Sequence, residues 1–375
     1  AGQPEVQADI LMVMGQAYRS LGRDDLARPL YEQAIALRSE ALGDAHPETL
    51  ESKFYLGTLL ELANDMELAG TLYEDVLAGH RARVGDTHVD LILPLYHLGL
   101  VRHVQGRGAE ADSFFTEWKA LIDRLPETDS PELSRGLSDY ADLMFTQRRY
   151  EEAEPFARRS LSMARRLYGD ESPDVGLLLN RLSEILNATG RHAEAERLAT
   201  EALDLHRRLY PDGNRELASS LQSVGEALQG QRRFDEAETL FRQDYEMRMR
   251  LFGEDHYSTA RSLVLLGRLN QDRGDYDEAE RYYLRAIGIF TNQFGPTFLT
   301  TIQYRIELSD IYRDRGSYEE AERILTDAYR SVANRAPTDR TRVSTLRRLV
   351  QLYTQLGRVE DAERMRGLLP PDVRN

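Results

Sequence analysis

The sequence has no cysteine, only two lysines and a single tryptophan. Without cysteine there is no disulfide, no thiolate-bound metal and no cysteine nucleophile, and the absence fits a reducing compartment, so we expect a cytoplasmic protein. No apolar run approaches the roughly 20 residues of a membrane-spanning helix. The first residues also lack the basic and then apolar order of a signal peptide. We therefore expect no membrane partner.

Negative charge is in excess, with 63 Asp and Glu against 48 Lys and Arg. Residues 1–131 hold 22 acidic and 11 basic side chains, whereas residues 132–375 hold 41 and 37. An acidic surface repels phosphate backbones and anionic lipids. We therefore expect no nucleic-acid partner, and a basic or neutral protein suits the amino-terminal third better.

Short motifs that carry chemistry are missing too. The sequence contains no HExxH, no GxxxxGK[ST] and no alternating acidic calcium loop. His46, His88 and His256 recur at multiples of 42 residues, so in a repeat array they cannot converge on one metal ion, and we expect them to cap the linkers. We predict no catalytic residue, no metal site, no cofactor and no enzymatic activity.

What the sequence does contain is a repeat. GDYDEAERYY at residue 274 has counterparts from GRDDLARPLY at 22 to GRVEDAERMR at 357, nine copies in seven steps of 42 residues and one of 41. Such a period indicates an array of supersecondary units in place of separate globular domains. We predict a single array over residues 1–375. Its approximate repeats are 5–46, 47–88, 89–130, 131–172, 173–214, 215–256, 257–298, 299–339 and 340–371.

Each copy is predicted to form a helical hairpin. In residues 258–299 the apolar side chains recur at steps of three and four, Gly274 breaks the pattern, and Gly295-Pro296 ends the second helix. A column of small residues at Gly15 and its equivalents is expected to bring two backbones together. An alanine present in every copy should let the two helices of a hairpin approach closely. Its positions are Ala27, Ala69, Ala111, Ala153, Ala195, Ala237, Ala279, Ala321 and Ala362.

The spacing resembles that of the tetratricopeptide repeat, with a small residue, an aromatic, an alanine and a second aromatic at Gly15, Tyr18, Ala27 and Tyr31. The 42-residue period and the GDxHP-like linkers are similar to the kinesin light chain type, and to arrays attached to bacterial signalling proteins such as serine/threonine kinases. The resemblance covers essentially the whole chain. It implies an all-α fold, a right-handed α-α superhelix of eight full hairpins and a truncated ninth. It also implies a protein that binds a partner protein or extended peptide along its concave surface.

In this repeat type the first helix of each hairpin presents one stripe of side chains to the concave surface. The stripe is apolar in repeats 1 to 3 and polar in repeats 4 to 8. Carboxamides can pair with an extended peptide backbone, and arginines with a carboxylate or phosphate. The alternatives are that the apolar residues contact neighbouring helices and that the polar ones form a solvated wall. We predict a peptide-binding groove containing Met12, Phe54, Tyr96, Leu100, His103, Asn180, Asn187, Gln222, Gln229, Arg261, Arg268, Gln271 and Arg313.

Repeat 3 departs from the pattern. Pro94 falls within its first helix, which should therefore start late or kink, and its linker, LPETDSP, has lost the glycine. Trp118 replaces an alanine and should push helices apart or turn outward, either as a local irregularity or as part of a hinge or binding feature near residues 88–131. Asp244 occupies the same slot in repeat 6, where we expect it to reach solvent or meet an arginine.

Two classes of function fit these patterns. The first is a non-enzymatic interaction scaffold that holds a partner peptide or domain in the groove. The second is a regulatory module of a larger signalling protein that senses a peptide or small ligand, and the start at Ala1 in place of Met favours a fragment. A monomer is the favoured state, with assembly through terminal repeats as a third interpretation.

Overall fold

The computed structural model describes residues 4–20, 23–125 and 129–373, and the regular elements within these ranges are all helical. The expected all-α class is confirmed. Contacts between Cα atoms divide the chain into two compact units, unit 1 at residues 1–178 and unit 2 at residues 179–375. The single array over residues 1–375 stays a prediction. Of the repeat 3 linker, residues 126–128 lie outside the described residues.

Unit 1 consists of consecutive helical hairpins. A 3₁₀ turn at Val89–Leu91 precedes its fifth helix. The helices are α1 (Pro4–Ser20), α2 (Asp24–Leu42), α3 (Pro47–Leu62), α4 (Met66–Val84), α5 (Ile92–Val104), α6 (Gly108–Arg124), α7 (Pro131–Thr146), α8 (Tyr150–Tyr168) and the beginning of α9 (Pro173–Ala188).

Unit 2 continues the same alternation. Its last helix has only 9 residues, as expected for a truncated final repeat. The helices are the remainder of α9, then α10 (His192–Leu209), α11 (Arg215–Gly230), α12 (Phe234–Phe252), α13 (Tyr257–Arg273), α14 (Tyr276–Phe294), α15 (Leu299–Arg315), α16 (Tyr318–Val332), α17 (Arg340–Gln355) and α18 (Val359–Gly367). A 3₁₀ turn at Pro371–Val373 follows.

The linker histidines cap helices, as predicted. In each case Nδ1 accepts a hydrogen bond from the backbone N–H two residues on, which belongs to Glu48, Asp90 or Ser258. An N-cap acceptor satisfies one of the N–H groups that the first helical turn leaves unpaired. The recurrence of His46, His88 and His256 is therefore explained by linker geometry.

From the second hairpin onward, the turn between the two helices contains a left-handed residue. Glycine supplies it at Gly106, Gly190, Gly274, Gly316 and Gly357, all with φ between 71° and 87°. Three copies place other residues at the equivalent position, and these adopt the same conformation: Asn64 (φ 63°), Arg148 (φ 60°) and Arg232 (φ 61°). Asparagine tolerates this region, but an arginine there is strained by its Cβ. At these positions the packing of the hairpin therefore determines the backbone conformation, even where the residue is not glycine.

The column of small residues makes room for a ring, which corrects the expectation of backbone contact. A Cβ at Gly225 would lie 2.5 Å from Cε1 of Phe241, sixteen residues on, and one at Gly57 would lie 2.7 Å from Cε1 of Tyr73. Gly15, Gly99 and Gly267 face Tyr31, Phe115 and Tyr283 in the same way. Where the small residue is Ala141, Ser183 or Ser309, the residue sixteen on is Ala157, Ala199 or Leu325. A larger residue in the first column is therefore accompanied by a smaller residue in the second.

The alanine column is buried throughout, with exposures of 0 to 4%. Trp118 is buried as well, which corrects the expectation that it turns outward, while the expectation that it pushes helices apart stays a prediction. Its ring stacks on Tyr140 at a centroid distance of 4.4 Å, beside the ring of Phe156. Gly136 in α7 makes room for Ile92, because a Cβ there would lie 2.3 Å from Cγ2 of that residue, whereas the Trp118 indole at 3.8 Å is at an ordinary van der Waals distance.

Asp244 meets an arginine and has no access to solvent. Arg248 donates from Nε to Oδ1 at 2.7 Å, and Ser262 donates to Oδ2 at 2.5 Å. The side chains of Asp244 and Arg248 are 0% and 5% exposed. Burial raises the pKa of Asp244, and Arg248 opposes that shift. The pair is a buried ion pair inside unit 2, so loss of either partner would leave an uncompensated charge.

Candidate functional site

An open cavity of about 680 Å³ lies in unit 1. Its wall is formed by the amino-terminal parts of α3, α5, α7 and α9 and by the carboxy-terminal parts of α4 and α8. Apolar side chains on the wall include Phe54, Val76, Leu93, Pro94 and Leu177. Pockets of this size and mixed lining are typical of ligand and peptide sites.

The first helix of repeat 3 borders the cavity. Its first helix, α5, has 13 residues, whereas α3 and α7 have 16 each. Pro94 is the third residue of α5, and the preceding chain forms a 3₁₀ turn in place of a further α-helical turn. The predicted late start is therefore confirmed. We attribute the cavity to this shortened helix, because Asp90, Leu93 and Pro94 all lie on its wall.

Most of the predicted apolar groove residues lie in the interior of unit 1. Met12, Phe54 and Tyr96 are only 4%, 8% and 6% exposed, and Tyr96 donates its hydroxyl to the backbone oxygen of Asp139 at 3.0 Å. Leu100 is half-buried and His103 is exposed. The expectation of an open apolar surface at Met12 and Tyr96 is thus corrected, because these side chains contact neighbouring helices. Phe54 alone of the five lies on the cavity wall.

Phe54 is held by an aromatic cluster built around one carboxylate. Glu61 accepts from the hydroxyl of Tyr73 at 2.9 Å, and its Oε2 lies 2.8 Å from Nδ1 of His97. The ring centroid of Phe54 lies 5.2 Å from that of His97 and 5.5 Å from that of Tyr73. Burial raises the pKa of Tyr73, with the Glu61 carboxylate as a second cause. This arrangement fixes the Phe54 ring at the cavity.

Five carboxylates also line the cavity, and three of them have basic partners. Asp90 pairs with Arg83, Arg135 lies 3.9 Å from Asp139, and Arg38 lies 3.5 Å from Glu51. Burial raises the pKa of Asp139, against the attraction of nearby His97 and Arg135. The remaining two, Glu132 and Asp174, make no ion pair with any residue that the structure describes. The cavity is therefore acidic as well as partly apolar.

In unit 2 the predicted carboxamides are engaged within the protein. Asn180 is 5% exposed and donates to Oγ of Ser220 at 2.8 Å. Asn187 contacts Nδ1 of His192 through Oδ1 at 2.6 Å, and Gln222 donates to Glu226 at 3.0 Å. The expectation that Asn180 faces a peptide is corrected, because its side chain packs between helices.

Gln229 and Gln271 connect consecutive first helices. Gln229 of α11 donates to Asp272 of α13 at 2.6 Å, and Gln271 of α13 donates to Asp314 of α15 at 3.2 Å. Both hydrogen bonds are exposed to solvent. The sequence predicted a ladder of amides for a peptide, and the structure shows amides that bridge neighbouring repeats on the same face.

The predicted arginines lie on that face too. Arg268 donates to both carboxylate oxygens of Glu307 at 2.9–3.0 Å, and Arg313 donates to Asp310 at 2.9 Å and to Asp314 at 2.8 Å. Arg261 is exposed and has no hydrogen bond or ion pair to the residues described. Most of this positive charge is therefore already neutralised within unit 2.

Two carboxyls of this face have altered acidity. Burial raises the pKa of Glu226, while a hydrogen bond from Gln222 and the charges of Arg268 and Arg261 oppose the shift. Burial likewise raises the pKa of Asp310, which accepts from Arg348 of α17 at 2.8 Å. The face carries mixed charge, in contrast to the acidic cavity of unit 1.

Metal-binding groups and membrane-spanning helices were also sought in the part of the chain that the structure describes. Residues 4–20, 23–125 and 129–373 contain no group of three His, Asp or Glu side chains arranged to hold a metal ion. Within the same ranges no helix is both long and apolar enough to cross a membrane.

These helical hairpins match a known family. The model of the tetratricopeptide repeat matches residues 6–82, 90–166, 137–208, 174–249, 216–292 and 270–332. The matches cover most of the sequence, so the chain belongs to the tetratricopeptide repeat family. A search of curated proteins found no match.

A Rap protein and NprR share the fold at low sequence identity. A Rap protein complexed with competence and sporulation factor has a TM-score of 0.57 and 15% identity, over 85% of this chain and 95% of that one. NprR in complex with its cognate peptide NprX also has a TM-score of 0.57 and 15% identity, over 85% and 88%. Kinesin light chain repeats from Podosopora anserina, at 15% identity over 68% and 100%, have a TM-score of 0.36.

Sequence reasoning missed Glu132, Tyr168 and Asp174 on the cavity wall. The two carboxylates each follow the proline that begins a first helix, in Ser-Pro-Glu and Ser-Pro-Asp. That spacing was visible, but a proline and an acidic residue in the first turn are ordinary features of a helix start and do not by themselves indicate a cavity. Only the shortened α5 of repeat 3 identifies these particular linkers.

Proposed function

We propose that this protein is a non-enzymatic interaction scaffold that binds an extended peptide of a partner protein. The observation that carries the proposal is the cavity of unit 1, which combines fixed apolar side chains with carboxylates and is open to solvent. A rigid apolar wall favours binding because little conformational entropy is lost on association. Membership of the tetratricopeptide repeat family supports the same class of function.

The partner binds first at the cavity in this proposal, with the mixed-charge face of unit 2 as a second surface. There the exposed Arg261 is available to a carboxylate, and the half-buried Gln229 and Gln271 lie on the same face with exposed hydrogen bonds to Asp272 and Asp314. The fold shared with NprR in complex with its cognate peptide NprX is consistent with peptide binding.

A selection experiment tests the proposal. The full chain is used to select binders from a random dodecapeptide display library, and the recovered peptides are synthesised and titrated by fluorescence anisotropy. Leu177 is 46% exposed on the cavity wall. Burying such a partly exposed leucine against a peptide is worth about 1 kcal/mol, so Leu177→Ser should weaken binding about five-fold.

Leu284 provides the matched control, because it is 50% exposed on α14 of unit 2 and does not line the cavity. Leu284→Ser removes a similar side chain from a helix and should leave the affinity unchanged. Failure to recover any peptide that binds in solution would contradict the proposed function. Equal affinity of the wild type and Leu177→Ser would contradict the proposed location.

A sensing module is the second candidate, and the exposed bridges of unit 2 favour it. Gln229–Asp272 and Gln271–Asp314 join consecutive first helices, so a ligand that replaces them would change the spacing between repeats. Small-angle scattering of the full chain with and without a recovered peptide distinguishes the two. A scaffold keeps its radius of gyration, whereas a sensor changes it.

A further inference from the structure

The lining of the unit 1 cavity includes one exposed tyrosine and two carboxylates that form no ion pair with the described residues. Glu132 lies in the first turn of α7, Asp174 in the first turn of α9, and Tyr168 at the end of α8. All three line the cavity, and the side chain of Tyr168 is exposed. The charges of Asp174 and Glu132 contribute to the raised pKa of Tyr168, after burial. The three side chains therefore share one cavity wall.

The other three carboxylates of the cavity lining differ from Glu132 and Asp174 because each has an arginine nearby. Arg135, an arginine of the wall, lies beside Asp139, and Arg38 and Arg83 approach Glu51 and Asp90. No described basic residue forms an ion pair with Glu132 or Asp174, and the Asp174 carboxylate accepts a hydrogen bond from Oγ of Ser172 at 3.5 Å. Among the residues that the structure describes, no cation therefore pairs with these two carboxylates, which line the same cavity as the exposed Tyr168.

Beside these groups the wall is apolar, with Leu177 and Leu178 on the first turns of α9. A guanidinium or ammonium group can bind a carboxylate and an aromatic face together, while its aliphatic stem packs on leucine side chains. The amino-terminal third, with 22 acidic and 11 basic residues in positions 1–131, attracts a basic partner over longer distances.

We propose that Glu132, Asp174 and Tyr168 form a specificity site for an arginine or lysine side chain of the bound peptide, with an adjacent apolar residue of that peptide against Leu177. This inference rests on the proposed peptide-binding function and adds the chemistry of the partner. The occupant is a basic side chain within an extended peptide segment.

The test compares dodecapeptide selections on three full-length proteins. The wild type should enrich peptides with arginine or lysine beside an apolar residue, and Glu132→Gln/Asp174→Asn should lose the preference for the basic residue. The control, Glu67→Gln/Glu151→Gln, removes two exposed first-turn carboxylates of unit 1 that do not line the cavity. It matches the test variant in net charge and in helix position, and should keep the preference.

A recovered peptide is then synthesised in two forms, one with its original basic residue and one with citrulline at that position. Citrulline keeps the size of arginine without the charge. On the wild type and the control, the citrulline peptide should bind at least ten-fold more weakly, and on Glu132→Gln/Asp174→Asn the difference should fall to about two-fold. Circular dichroism of each variant verifies that the helices are intact.

The outcomes separate the two proposals. Peptides that bind at the cavity but show no basic preference would overturn the specificity site and leave the scaffold function standing. A basic preference that persists in Glu132→Gln/Asp174→Asn would also overturn the assignment. Recovery of no peptide at all would overturn the proposed function, and this inference with it.

Discussion

Gly225→Ala should destabilise the hairpin of α11 and α12, although alanine is ordinarily the better helix residue by about 1 kcal/mol. The new Cβ would lie 2.5 Å from Cε1 and 2.7 Å from Cδ1 of Phe241, whose ring is fully buried. Overpacking of this kind costs about 1–3 kcal/mol. We take an overpacking cost of about 2 kcal/mol and a gain in helix propensity of about 1 kcal/mol. The free energy of unfolding of the hairpin should therefore fall by about 1 kcal/mol.

The sign should reverse when the ring is removed. In repeat 8 the equivalent pair is Ser309 and Leu325, which shows that leucine leaves room for a larger residue in the first helix. In a Phe241→Leu background, Gly225→Ala should therefore stabilise the hairpin by up to about 1 kcal/mol. The two positions would then be coupled by about 2 kcal/mol, within the range for residues in direct contact.

Hydrogen exchange followed by mass spectrometry measures this locally, in peptides from α11 and α12, because repeat arrays need not unfold as one unit. Gly288→Ala is the control, since nothing lies within 4 Å of a Cβ at that exposed position of α14. It should stabilise its helix by about 1 kcal/mol. If Gly225→Ala stabilises its own hairpin as Gly288→Ala stabilises α14, then Gly225 is not needed to make room for the Phe241 ring.

Three further predictions concern stability. Asp244→Ala should cost about 3–5 kcal/mol because it leaves Arg248 buried and unpaired, whereas Asp244→Ala/Arg248→Met should recover most of the loss in a denaturation experiment. Arg148→Gly should raise stability by up to about 1 kcal/mol, since Arg148 is held at φ 60°, and an unchanged exchange rate in its hairpin would argue against strain there. His256→Ala should cost about 1 kcal/mol at pH 8, through loss of the N-cap. Burial lowers the pKa of His256 in the folded protein. The cap therefore stabilises fully above the usual histidine pKa of about 6.5, and its contribution is lost as the pH falls through the lower pKa of the folded state. The destabilisation caused by His256→Ala should accordingly become smaller towards pH 5.

The hairpins were predictable from sequence because their determinants are local and repeated. A buried alanine, a turn glycine and a capping residue each act within a few residues, so Ala279, Gly274 and His256 define their repeat without knowledge of the rest of the chain. The late start of α5 followed in the same way from the geometry of Pro94.

The candidate site was less predictable because it depends on pairing between distant residues. The helical stripe placed Asn180 on an open surface, but its amide donates to Ser220, forty residues on, and is buried. The sequence left open an outward-facing Trp118, but its ring is buried against Tyr140 and Phe156 of the next hairpin. Periodicity gives the face of a helix, while partners on adjacent helices decide whether a side chain on that face remains available.

The central claim is that a partner peptide occupies the cavity that the shortened α5 leaves in unit 1. Hydrogen exchange of the full chain, with and without a saturating peptide recovered by selection, measures this most directly. We expect slower exchange in peptides that contain residues 89–94, 131–139 and 174–178, and little change in α14 and α16. Slower exchange confined to unit 2, with residues 89–94 unchanged, would contradict the claim.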